Sequence, residues 1–321
     1  METRLRPIPI DMMHPQRPNV ALRLAAAIAL VWTVGGSSAV HAQALTKSDT
    51  TAAPYRDGTI KVDGRTVHYL DWGPEGKPAF ILVHALGHSA HNYDHVAPLL
   101  NQRHRVIAID LRGHGDSDWS PKAEYSAEDY VKDLHALVTQ LKLGPVTLIG
   151  CSIGGRVVQV YAGMYPDRVS KLIVLDVGPA RPESTTRTLS DRIEREQQGW
   201  ASEDELYASL RRNPTRVPEE VHRNQVRYES KRLPNGRVVW KYDPKVVSGL
   251  GPIELWDYVK KIKAPTLYVI GGRSRLVTPE EQSQLKTLPF AEVVTIPEAG
   301  HYPQEDTPEL FLAVVKAFLA G

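Results

Sequence analysis

Cysteine is almost missing from this chain: Cys151 is the only one among 321 residues. No intrachain disulfide can form, so the fold must be held by its core. A membrane-spanning run is missing as well. The apolar stretch Leu24–Val34 has 11 residues, against the roughly 20 that cross a bilayer. Net charge is also small, with 39 basic and 37 acidic residues. Residues 1–42 carry four of those basic and two of those acidic side chains, which leaves 35 of each beyond them. That balance removes the electrostatic footprint a nucleic-acid partner would need. Internal repeats and low-complexity segments are lacking too.

What is present begins with a targeting pattern. Arg4, Arg6, Arg17 and Arg23 precede the Leu24–Val34 run, and small residues follow at Ser37-Ser38-Ala39-Val40-His41-Ala42. A charged start, a short apolar run and small residues predict a signal peptide over 1–42, cleaved after Ala42. A retained N-terminal anchor is the alternative. The expected location is therefore exported, periplasmic or secreted, with no membrane partner once the peptide is removed. A linker at 43–56 and one large domain at 57–321 would follow.

The domain reads as alternating strands and helices. Thr59–Val62 and Arg65–Leu70 flank Asp63-Gly64, a strong hairpin signal. Ala79–Val83, Arg105–Asp110, Val146–Ile149, Leu172–Leu175 and Thr266–Ile270 are apolar runs without alternation, as expected of strands covered on both faces. Ser126 with acids behind it predicts a capped helix to about Leu141. Ala291–Ile296 and Thr307–Leu319 close the chain as strand and helix. The fold class expected is α/β, a mostly parallel central sheet with helices on both faces. The rhythm breaks at Gly178-Pro179, and about 180–250 is polar and Arg-rich, with a hairpin turning at Pro234-Asn235-Gly236. This stretch reads as an inserted lid over the strand ends, where ligands bind in open α/β sheets. Its aromatics, Trp200, Tyr207, Tyr228, Trp240 and Tyr242, suit either a pocket lining or packing within the lid.

The chemistry centres on Gly150-Cys151-Ser152-Ile153-Gly154. This G-x-S-x-G string joins a buried strand to a helix, and its glycines permit the abrupt turn that leaves a serine exposed on a strained backbone. Ser152 is then placed to attack a carbonyl carbon, with the N–H of Ile153 facing the developing oxyanion. Cys151 occupies a position pointing away from the cleft and is expected to be a small buried hydrophobe. His301, just beyond the last strand, is placed to act as base. The second oxyanion donor is expected from the turn His84-Ala85-Leu86-Gly87, as the N–H of Leu86. His84, His88, His91 and His95 cluster in sequence, but strand-end, turn and helix-start positions account for them, so no metal is expected.

These strings together resemble the α/β-hydrolase superfamily, in its lidded single-domain branch of esterases, lactonases and carbon–carbon bond hydrolases. The likeness rests on His84-Ala85-Leu86-Gly87, Asp110 to Ser117, the 150–154 turn and Gly300-His301, and spans roughly 57–320. It implies a cofactor-free serine hydrolase working through an acyl-enzyme at Ser152 on a small or medium ester or lactone. Carbon–carbon hydrolysis of diketone-like substrates and slow-turnover ligand binding are the alternatives it leaves. The sequence departs from the family in two places. The usual His-Gly pair is His84-Ala85 here, and no aspartate follows Thr266–Ile270, where the triad acid usually lies. Some relatives carry the acid one strand earlier, which points to Asp176; Glu280 or a Ser–His dyad are the other solutions. Oligomeric state is not legible.

Overall fold

The computed structural model describes residues 55–101, 103–181, 183–212, 217–249 and 253–321. The expected signal peptide over 1–42, and the linker up to residue 54, lie outside the described residues.

Twelve strands are present among them: β1 (Arg56–Val62), β2 (Arg65–Asp71), β3 (Ala79–Val83), β4 (Arg105–Ile109), β5 (Val146–Cys151), β6 (Val169–Leu175), β7 (Ala180–Arg181), β8 (Ser230–Arg232), β9 (Val238–Trp240), β10 (Ile253–Glu254), β11 (Thr266–Gly271) and β12 (Ala291–Ile296). Eight form one sheet in the order β1-β2-β4-β3-β5-β6-β11-β12. The Asp63-Gly64 hairpin pairs β1 with β2 antiparallel, and β2 joins β4 antiparallel. From β4 to β12 every neighbour is parallel. The expected α/β class with a mostly parallel sheet is therefore observed.

The continuous apolar runs are explained by burial on two sides. In β3, Ile81 and Val83 enter one core cluster while Phe80 and Leu82 enter the other. The first cluster is filled by helices Ala127–Gln140 and Ile153–Met164, through residues such as Leu134, Leu137 and Val157. The second takes Phe311 and Val315 of helix Pro308–Leu319. Ser126 caps the first of these helices with a reciprocal capping box to Asp129, as its sequence predicts.

Because the central strands run parallel, their C-terminal ends share one edge of the sheet. Val83, Cys151, Leu175, Gly271 and Ile296 end there, and the loops that follow converge. Between β6 and β11 the chain makes its excursion. Helices Glu183–Gln197, Glu203–Leu210 and Glu219–Glu229 and the β8–β9 hairpin form it. The excursion has a small core of its own, Leu206, Val226 and Val238, against which Trp200, Tyr207 and Trp240 pack. Tyr228 stacks on His91 at 3.8 Å between ring centroids, and the Tyr242 hydroxyl donates to Glu196 at 2.7 Å. Packing therefore accounts for all five of these aromatics; none lines the larger cavity described below, but Trp240 also lines a second one of about 380 Å³.

Candidate active site

Ser152 caps the N-terminal end of helix Ile153–Met164 with φ 54° and ψ −117°. A side chain on left-handed backbone is strained and persists only where neighbours enforce it. Here the neighbours are backbone. The Ser152 N–H donates to the Leu175 carbonyl at 3.2 Å. A Cβ at Gly154 would collide with the Val83 carbonyl, and one at Gly150 with the Gly154 carbonyl. Both glycines of the string are thus required by close approach.

Asp176, which follows β6, is the second strained residue at this edge, with φ 48° and no exposed surface. Its N–H donates to the Val269 carbonyl at 2.8 Å, which ties it to the neighbouring strand. One carboxylate oxygen accepts the Gly271 N–H at 2.9 Å, and the other lies 2.8 Å from His301 Nδ1. A carboxylate can only accept, so Nδ1 carries the proton in this contact and Nε2 is left with its lone pair. Gly271 ends β11, just before the loop in which Ser274 and Arg275 stand where the usual acid is lacking. Its Cα packs against the Gly300 carbonyl with no room for a Cβ, and its amide holds Asp176 instead.

Ser152 and His301 line one cavity of about 600 Å³ together with Leu86 and Ile153. Among the described residues the N–H groups of Leu86 and Ile153 make no hydrogen bond. Two unused amides beside a serine are what an oxyanion requires. The turn bearing Leu86 is closed by the His88 N–H on the Ala85 carbonyl at 3.1 Å, with Gly87 at φ 84°. All five residues named from sequence thus stand at this one site, Asp176 reaching it through His301. Glu280 lies on the cavity wall at its own helix start, where its backbone N–H and Thr278 hold the carboxyl below the usual range.

Cys151 points into the core behind the sheet, fully buried, and burial pushes its thiol well above the ordinary range. The four clustered histidines go to different partners. Both His84 nitrogens are bonded to backbone, to the Ala85 carbonyl at 2.8 Å and the Leu111 N–H at 3.0 Å. His91 faces Asp94 at 2.9 Å, and His95 faces the Gln304 carbonyl at 2.7 Å. His68, Asp110 and Asp116 form the one group among the described residues whose ligand atoms come together. Its centre, Asp110, already accepts the N–H groups of Ala90 and Asp116 at 2.5 and 2.9 Å and pairs with His68 at 2.8 Å. That saturation makes Asp110 an anchor for the loops around it.

A buried polar cluster behind the site escapes sequence reasoning. Glu229, the last residue of helix Glu219–Glu229, accepts the Ser89 N–H at 3.0 Å and lies 3.1 Å from His88 Nδ1. Glu305, four residues beyond His301, is 2 % exposed and accepts from Asn92 and, at 3.5 Å, from Gln225. Burial pushes the Glu305 carboxyl up to about 7, partly offset by His88 and Asn92, while Glu229 raises it further. For His88 burial pulls downward but the Glu229 and Glu305 carboxylates outweigh it, and the imidazole is raised. Both shifts mean that the folded chain holds protons the unfolded chain releases, so both favour the fold at lower pH. This contribution is lost as pH rises from the ordinary glutamate range through 7. Melting temperature is expected to fall between pH 5 and 8 by several degrees, since each pKa unit is about 1.4 kcal/mol and each kcal/mol about 2–4 °C in a chain this long. In Glu305→Gln the slope should flatten, as followed by thermal melts across pH; an unchanged slope would contradict the account.

Known proteins are similar to this chain in sequence and fold. A family profile describing the α/β hydrolase fold matches residues 78–308. An sn-1-specific diacylglycerol lipase of Mus musculus is 29% identical over 259 residues, covering 76% of this chain and 81% of the relative. An esterase of Mycobacterium tuberculosis is 29% identical over 268 residues, 81% of this chain and 88% of that one. The crystal structure of E-2-(acetamidomethylene)succinate hydrolase superposes with TM-score 0.77 at 25% identity, covering 84% of this chain and 100% of the other. The chain belongs to the α/β hydrolase fold family.

Proposed function

We propose that this hydrolase cleaves a small or medium carboxylic ester or lactone through an acyl-enzyme on Ser152. The observation that carries the reading is the 2.8 Å contact between His301 and buried Asp176, on a histidine that lines the same cavity as Ser152. With Nδ1 bonded to the carboxylate, Nε2 of His301 takes the Ser152 hydroxyl proton as Oγ attacks the carbonyl carbon. The oxyanion is received by the N–H groups of Leu86 and Ile153. The intermediate collapses by breaking the bond to the alkoxide, which takes the proton from His301. Water, giving its proton to the same nitrogen, then attacks the acyl carbonyl, and the proton returns to Ser152 as the acid leaves. No cofactor enters the scheme.

Relatives named as an esterase and a lipase support ester substrates. Slow-turnover binding drew its support from the lack of an aspartate after β11, and Asp176 on His301 weakens that support. The insertion at about 180–250 serves in this reading as the lid. Export belongs to it as well, on the composition of 1–42.

Fluorophosphonate treatment with intact-mass and peptide analysis tests the proposal. One adduct is expected, on the peptide holding Ser152. Folded protein that takes no label would overturn the reading. The same mass, read on chain recovered from the periplasmic or culture fraction, tests loss of 1–42; an unshortened chain would contradict cleavage after Ala42, and a chain found only in the cytoplasmic fraction would contradict export.

A further inference from the structure

Four arginines line the Ser152 cavity from three separate elements. Arg156 stands one helical turn after Ser152 and is 8 % exposed. Arg192 and Arg195, three apart on helix Glu183–Gln197, share a face of it, and Arg275 comes from the loop after β11. Two carboxylates, Glu280 and Glu281, stand on the same wall. Glu281 accepts the Ala180 N–H at 3.1 Å; burial raises its carboxyl above the usual range, partly offset by that bond and by Arg156, which donates to the Ala180 carbonyl at 3.3 Å. Glu280 is held by its own helix start.

Arg192, 35 % exposed at its side chain, has Glu196 Oε1 at 3.4 Å from its Nε, an ion pair out of line for a hydrogen bond, with the Tyr302 hydroxyl also beside it. The other Glu196 oxygen accepts from Tyr242 at 2.7 Å. A guanidinium N–H without an in-line acceptor is open to a ligand's carboxylate. Arg192 also stands, with Leu86 and Tyr302, where this cavity meets a second one of about 380 Å³. Much of the remaining wall is apolar, including Val177, Leu189, Trp256 and Leu276. An aliphatic chain suits that wall, and a carboxylate at its end suits the guanidinium, which binds such groups in a fork. The two glutamates on the wall count against a dianion and favour a single negative charge.

We infer, resting on the serine-hydrolase reading, that the cavity selects acyl esters ending in a carboxylate and that Arg192 receives that carboxylate.

The test compares mono-p-nitrophenyl adipate with p-nitrophenyl hexanoate, which share a six-carbon acyl chain and differ in the terminal charge. The adipate ester is expected to have the higher kcat/KM by about 10- to 100-fold, the effect of charge-assisted hydrogen bonds. Arg192→Gln should lower this ratio at least about tenfold, mainly through KM of the adipate ester, and Arg192→Lys should retain more of it than Gln does. Any general loss from disturbing Tyr302 cancels in the ratio. Adipic acid monoamide, a monoanion, should raise the melting temperature of the wild type and not of Arg192→Gln. A hexanoate preference, or a ratio that Arg192→Gln leaves unchanged, would overturn the inference while leaving the hydrolase standing. Failure of both esters together with an unlabelled Ser152 would overturn the hydrolase reading. Binding of the monoamide then decides the anion site alone: a shift lost in Arg192→Gln supports it, and no shift refutes it.

Discussion

Ser152→Ala is expected to lower kcat by about a millionfold, the scale on which removal of a serine nucleophile acts in other hydrolases. The loss should be complete to the level that the oxyanion donors alone sustain, because no second nucleophile stands in reach. Cys151, next in the chain, is turned into the core behind the sheet. Stability should be nearly unaffected, since alanine and serine meet the same strain at φ 54°. Burst kinetics with a chromogenic ester and a thermal melt of the variant check both halves. Retention of more than a thousandth of the wild-type rate would remove Ser152 from the role.

Asp176→Asn is the second large effect, about 10⁴ in kcat. The asparagine can still accept the Gly271 N–H, so the loop should stay in place. Its amide nitrogen would then face His301 Nδ1, where two donors cannot meet. The imidazole must take the other tautomer, with the proton on Nε2, and can no longer accept from Ser152. Glu280→Gln should cost far less, because that carboxylate is held at its own helix start. Steady-state rates of the two variants side by side decide between the acids. If Glu280→Gln proved the more damaging, the assignment of Asp176 would fall.

The parallel strands were legible because burial on both faces leaves unbroken apolar runs, and β3 was bounded correctly from that alone. The start of β6 was less plain: Ser170 and Lys171 interrupt the run there, and the strand begins at Val169 rather than at Leu172. Helix Glu219–Glu229 went unread for a different reason. Its buried positions include His222, Gln225 and Glu229 as well as Val221 and Val226, so the usual apolar period is hidden by polar side chains satisfied inside. Ser152 announced itself through local glycines, and His301 through its place after the last strand. Asp176 required more, because only the parallel register of β6 against β11 brings its carboxylate to the Gly271 amide and to His301. The cluster of His88, Glu229 and Glu305 has no local signal at all; it joins segments 140 residues apart in the chain.

In the reading with Asp176 as the acid after β6, the loop after β11 is released from the duty it usually has. Gly271 and Gly272 are held by close backbone neighbours, Gly300 and Pro297, but Arg273, Arg275 and Leu276 are exposed. Ser274, Arg275 and Leu276 form a wall of the substrate cavity without touching Asp176 or His301 through any described hydrogen bond. A randomised library over 273–276 can therefore explore new substrates with the catalytic constellation untouched, a freedom that relatives with their acid in that loop do not offer to the protein engineer.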